Sequence, residues 1–231
     1  MNDSLRGLGI STNSQRGITR NALGIAVASG AYAVSFGALS TIAGLSLLQT
    51  CALSVLMFTG ASQFALVGVV GAGGSVWAGA VTAALLGSRN ALYGLRLSSI
   101  LDLRGWHRPA AAHFVIDETT AMAIGQDEPP ASRFAFWSTG ALLFAFWNTG
   151  TLIGALATHA LPDPKALGLD AAPPAAFLAL LAPRLRAGEP IAIAVAGGLV
   201  ALVLLPFVPA GVPLLAVAVL VALYGVLRTN R

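Results

Sequence analysis

Along this chain, long apolar runs alternate with short polar stretches. Residues 1–20 are polar and carry Arg6, Arg16 and Arg20, and an uncharged run begins at Ala22. Apolar segments follow at about 22–43, 46–71, 75–101, 110–126, 134–158, 171–183, 189–206 and 212–228. Apolar runs of about 18 residues or more predict membrane-crossing helices. The pattern therefore predicts an all-α, polytopic transmembrane bundle of seven to eight segments. At a rise of about 1.5 Å per residue, the fourth and sixth segments fall short of a hydrocarbon core about 30 Å thick. They are expected to be re-entrant, tilted or locally unwound. The first run exceeds the 7–15 residues or so of a signal-peptide core and reads as a retained span. Residues 1–20 are then a polar cytoplasmic N-terminus, and 21–231 a single transmembrane domain.

Composition agrees. Of 231 residues, 56% are hydrophobic and only 10% charged, against about 25% charged in a typical soluble domain. The net charge of +4 would suggest nucleic acid in a soluble protein, but here the basic residues sit mostly between apolar runs, where they set orientation. With all eight segments crossing and the N-terminus inside, Arg6, Arg16, Arg20, Arg133, Arg184, Arg186, Arg228 and Arg231 fall on the cytoplasmic side. Arg104, Arg108 and Lys165 fall outside. The single cysteine, Cys51, lies in an apolar run and reads as a small buried residue. No Cys/His cluster, HExxH, Walker motif or dinucleotide fingerprint occurs, so neither a metal nor any other cofactor is expected, nor nucleotide hydrolysis.

A faint internal echo divides the chain into halves, 22–126 and 134–228. "SGAYAVSFGALSTIAGLS" (29–46) answers "NTGTLIGALATHALPDP" (148–164), and "GASQFALVG" (60–68) answers "PPAAFLALL" (173–181). Four spans per half would make the repeat parallel and three would make it inverted; both arrangements occur among secondary transporters.

Polar groups inside apolar runs are the candidates for function, because a charge at mid-bilayer costs about 2.5–3.5 kcal/mol on insertion scales. Arg89 and Arg96 lie in the third segment, and Asp117 and Glu118 in the fourth. A short loop joins the two segments, so an ion pair between them is easily built. Arg96 can instead reach the interface beside Asp102 and Arg104. Asp117 and Glu118 diverge by about 100° on a helix and cannot serve one partner in the same way. In the second segment, Gln63 brings an amide into an apolar run, while Gly60 and Ser62 make the helix easy to open. An unwound stretch there would present backbone groups to a polar ligand, whereas interhelical hydrogen bonding is the structural reading of the same residues. Trp147, Asn148, Thr149 and Thr151 form a third patch, with Trp147 read as an interface marker. His107, His113 and His159 carry little information.

Five stretches in order, "FTGASQFALVG" (58–68), "GSRNALYGLRLS" (87–98), "HFVIDETTAMA" (113–123), "FWNTGTLIGAL" (146–156) and "GLDAAPPAAFLALLAPRLR" (168–186), resemble the AzlC family, the large subunit of branched-chain amino acid exporters. The resemblance implies a multi-pass permease of the cytoplasmic membrane, not an enzyme, working with a small membrane subunit of the AzlD type. Where the family often has Arg-His, this chain has Arg89-Asn90, which removes a titratable group. For a zwitterion with an aliphatic tail, the expected binding residues are Gly60, Ser62, Gln63, Arg89, Asn90, Asn148 and Thr149. Asp117 and Glu118 are the expected carriers of a coupled proton. One methylene is worth only about 1–3 kcal/mol, so Leu, Ile and Val are expected to overlap as substrates, with Met or analogues tolerated. The alternative classes are a channel and a non-transporting membrane scaffold. An intramembrane serine protease built on Ser62 and His113 is disfavoured, because "GASQ" lacks the second glycine of such sites.

Overall fold

The computed structural model describes residues 10–160, 178, 181–182, 185, 187–208 and 212–229. Among them every regular element is a helix. The first, α1 (Thr12–Ile42), begins about ten residues before the apolar run, because Ser11 caps it by accepting the Ser14 amide at 3.2 Å. Among the described residues, two helices are long and apolar enough to cross a membrane: α1 and α8 (Pro129–Ala160).

Three of the apolar segments do not run as single helices. The second is split into α2 (Leu47–Leu56) and α3 (Gly60–Gly71), with Met57 and Thr59 in non-helical conformations between them. The third is α4 (Val76–Gly87) followed by α5 (Arg89–Leu101), joined by a turn at Ser88, whose backbone stays in the helical region and whose amide donates to the Ala84 carbonyl at 2.9 Å. The fourth is the short α6 (His107–His113) and α7 (Asp117–Ile124). Its break is stapled by Thr119, whose hydroxyl donates to the Phe114 carbonyl at 2.6 Å and accepts the Ile116 amide at 3.1 Å. The second segment breaks beside Gly60, where the sequence reads as easy to open, and the short fourth breaks as well, whereas the third only turns at Ser88. The sixth segment, and with it "PPAAFLALL", lies almost wholly outside the described residues. The last two segments form α9 (Gly188–Leu204) and α10 (Val212–Thr229), which pack on each other; there Glu189 is paired with Arg228 and accepts from the Tyr224 hydroxyl.

Among the described residues, the most extensive interface joins α1 to α8. The two helices run in the same direction. Ile18 packs with Ala131 and Ala135 near their starts, and Gly37 meets Thr151 and Ala155 further along. The approach is closed to any side chain: a Cβ on Gly37 would lie 2.0 Å from the Thr151 carbonyl oxygen, and one on Gly154 would lie 1.9 Å from that of Val34. Small residues permit such backbone contact, which is how helices gain packing energy where no hydrophobic effect separates them from lipid. The contact is reciprocal: Gly37 sits against Thr151 and Ala155, Gly154 sits against Val34 and Ala38, and 37 to 154, 34 to 151 and 38 to 155 each differ by 117.

Candidate functional site

The breaks before α3 and α7 and the turn at Ser88 bring three helix starts together. Thr59, Gly60 and Ala61 at the start of α3, Arg89 at the start of α5, and Ile116, Asp117 and Glu118 at the start of α7 all line one cavity of about 280 Å³. Helix N-termini present unsatisfied N–H groups and a positive dipole end. Thr59 makes no side-chain capping bond to α3. Gly60 is needed on steric grounds, since a Cβ there would come within 2.8 Å of the Trp147 ring.

Arg89 and Asp117 form an ion pair across the cavity, 3.1 Å apart, each side chain about one-third exposed (31%). The sequence-based expectation of a pair between the third and fourth segments is met through these two residues, while Glu118 lines the same space. Arg96 is exposed on α5. Aromatic side chains of Tyr32, Phe58 and Trp147 line the same cavity. Tyr32 from α1 makes tilted ring contacts with Phe64 at 4.8 Å and Trp147 at 6.2 Å, ring centre to ring centre, and Phe36 backs the group 5.5 Å from Phe64. The lining therefore combines a cation, two acidic residues, backbone donors and apolar rings.

The other expected site residues are distributed around this cavity. Gln63 is fully buried, and its amide is consumed by the scaffold. It donates to the carbonyls of Met57 at 2.7 Å, Leu53 at 3.3 Å and Ser54 at 3.4 Å, and it accepts the Trp147 indole N–H at 3.0 Å. This is the interhelical reading of that residue: it ties the end of α2 and the body of α3 to α8. Ser62 and Asn90 line a neighbouring groove of about 440 Å³, which shares Thr59 with the cavity. Asn148 donates to the Phe144 carbonyl of its own helix at 2.8 Å, and Thr149 is exposed. At this level α8 turns Leu143 and Trp147 toward the cavity instead. Trp147, read from the sequence as an interface marker, is 5% exposed and sits in the core. His113 packs among the rings of Phe58, Phe114 and Phe144.

Sequence reasoning missed Tyr32 and Phe58, both of which line the cavity. Neither carries a charge or breaks an apolar pattern, so neither stands out from ordinary core aromatics.

The AzlC protein family matches residues 24–161, more than half of the chain. The chain belongs to the AzlC family. The matched stretch contains every residue that lines the cavity. Membership points to a membrane transport-related function for this AzlC protein, in keeping with its long apolar helices. The stretch 168–186, part of the resemblance in sequence, lies beyond the matched region, and only four of its residues are described. No curated protein and no solved structure matches the chain.

Proposed function

We propose that this AzlC protein is the large, multi-pass subunit of a secondary transporter that exports Leu, Ile and Val across the cytoplasmic membrane. It works with a small AzlD-like membrane subunit and its N-terminus is cytoplasmic. The observation that carries this reading is the Arg89–Asp117 pair at the meeting point of three helix starts. Discontinuous helices whose N-terminal ends face a shared cavity are a recurrent way of holding a substrate carboxylate inside a membrane. A branched-chain amino acid presents a carboxylate, an ammonium and an aliphatic tail. In the proposed mode the start of α3, with Gly60, and the Arg89 guanidinium attract the carboxylate. Asp117 and Glu118 meet the ammonium or carry the proton, and the rings of Tyr32, Phe58 and Trp147 bound the tail. Ser62 and Asn90 belong to the adjoining groove and form the way in or out, Gln63 acts as scaffold, and Asn148 and Thr149 are left out of the site.

The parallel course of α1 and α8 supports a parallel repeat, with four crossings in the first half before α8 starts the second. In that arrangement the reciprocal glycine contacts lie about a two-fold axis along the membrane normal.

Export against a gradient requires an energy source, and inward proton movement through an acidic residue of this cavity supplies it. The test is leucine efflux from preloaded cells that express the chain with the small subunit, with and without a proton uncoupler. Uncoupler-sensitive efflux that exceeds the vector control supports the reading. Efflux indifferent to the uncoupler identifies a channel, and no efflux identifies a scaffold.

A further inference from the structure

Three donors around the cavity are buried yet have no hydrogen-bond partner among the described residues: the Tyr32 hydroxyl, the Thr59 hydroxyl and Nε of Arg89. The Tyr32 ring is fixed by Phe64 and Trp147, so its hydroxyl cannot leave the site without breaking two ring contacts. A buried hydroxyl without a partner costs free energy, and native proteins seldom leave one so. What would satisfy it follows from its neighbours. The amides at the start of α3 and Arg89 Nε are donors only. The carboxylates of the lining are those of Asp117, already paired with Arg89, and Glu118, so an anionic ligand is the acceptor that the α1 and α3 side does not itself supply. The acids are on the other element, α7.

We infer that the Tyr32 hydroxyl donates a hydrogen bond to the substrate's α-carboxylate and is a binding residue of the transport site. The assignment rests on the transport reading above and sharpens it. The carboxylate is held by the α1 and α3 side of the cavity, and the ammonium is left to α7. Tyr32 also selects for the carboxylate: an amine or amide that lacks it gives this hydroxyl no anionic acceptor.

The variant is Tyr32→Phe, which removes one oxygen and keeps the ring contacts with Phe64 and Trp147. Membranes from cells expressing the full chain with the small subunit are titrated with radiolabelled leucine, and bound label is competed with leucinamide, which keeps the ammonium and tail but has no carboxylate. Loss of a hydrogen bond to a charged group should weaken leucine binding about tenfold, with leucinamide competition unchanged and thermal stability of the purified chain unaltered. Unchanged leucine affinity in the variant overturns the assignment, as does an equal loss for both ligands, which would mark Tyr32 as structural. Absence of saturable leucine binding to the unsubstituted protein overturns the transport reading itself, and the assignment with it. Normal leucine binding with an indifferent Tyr32→Phe overturns the assignment alone.

Discussion

Gln63→Leu removes an amide of similar volume from the point where the broken second segment is tied to α8. The consequence can be worked out group by group. The Leu53 carbonyl keeps the Met57 amide at 3.0 Å, and the Met57 carbonyl keeps the Thr59 amide at 2.7 Å. The Ser54 carbonyl and the Trp147 indole N–H lose the partner that Gln63 supplied. Each buried group left unsatisfied costs roughly 1–3 kcal/mol. Side-chain hydrogen bonds between membrane helices average only about 0.6 kcal/mol, because the unfolded chain in lipid also finds partners. A loss of about 2 kcal/mol lies between these limits. The assay is denaturant-induced unfolding of the purified chain in mixed micelles, with Trp147→Phe and the double variant completing a thermodynamic cycle. The double variant should lose less than the sum of the singles, since it removes donor and acceptor together. A Gln63→Leu protein within about 0.5 kcal/mol of the parent, the range of an ordinary surface change, would refute the claim that this amide holds the break in place. Leucine export should fall with the same variant, because Trp147 forms part of the cavity wall.

Other perturbations separate the roles of the remaining residues. Asp117→Asn deprives Arg89 of its ion-pair partner and should reduce export by about tenfold or more, whereas Glu118→Gln should spare the pair; if both keep full uncoupler-sensitive efflux, neither acid carries the proton. Gly37→Ala places a Cβ 2.0 Å from the Thr151 carbonyl oxygen. Because α1 and α8 must part to admit it, unfolding should show a loss of about 1–3 kcal/mol or more, and Gly154→Ala should behave alike. Thr149→Val, on an exposed face of α8, should leave efflux within about twofold of the parent, inside the scatter of neutral surface changes. A large loss there would mean that the site extends to that face.

Much of the site was legible from cost alone. Arg89, Asp117 and Glu118 stand out because charges inside apolar runs are expensive, and the short connection between their segments already pointed to pairing. The α2–α3 break was readable near Gly60 for a similar reason, since glycine and serine weaken a helix interior. The α4–α5 junction at Ser88 and the inward turn of Trp147 were not. A single bridging residue leaves almost no mark on hydropathy, and which side of α8 is buried depends on where α1 and α3 lie.

The sequence by itself determined the class of the protein and the identity of its costly residues. Apolar run length and buried charge are properties of the chain's transfer into lipid, whatever the packing. Tertiary structure alone decided which polar groups share a cavity and which hold helices together. Gln63 and Arg89 are both polar residues in apolar segments, yet one is consumed by carbonyls and an indole while the other faces open space beside Asp117. That difference arises from where the folded chain sets α8 against α3 and α7 against α5, which no local stretch of sequence specifies.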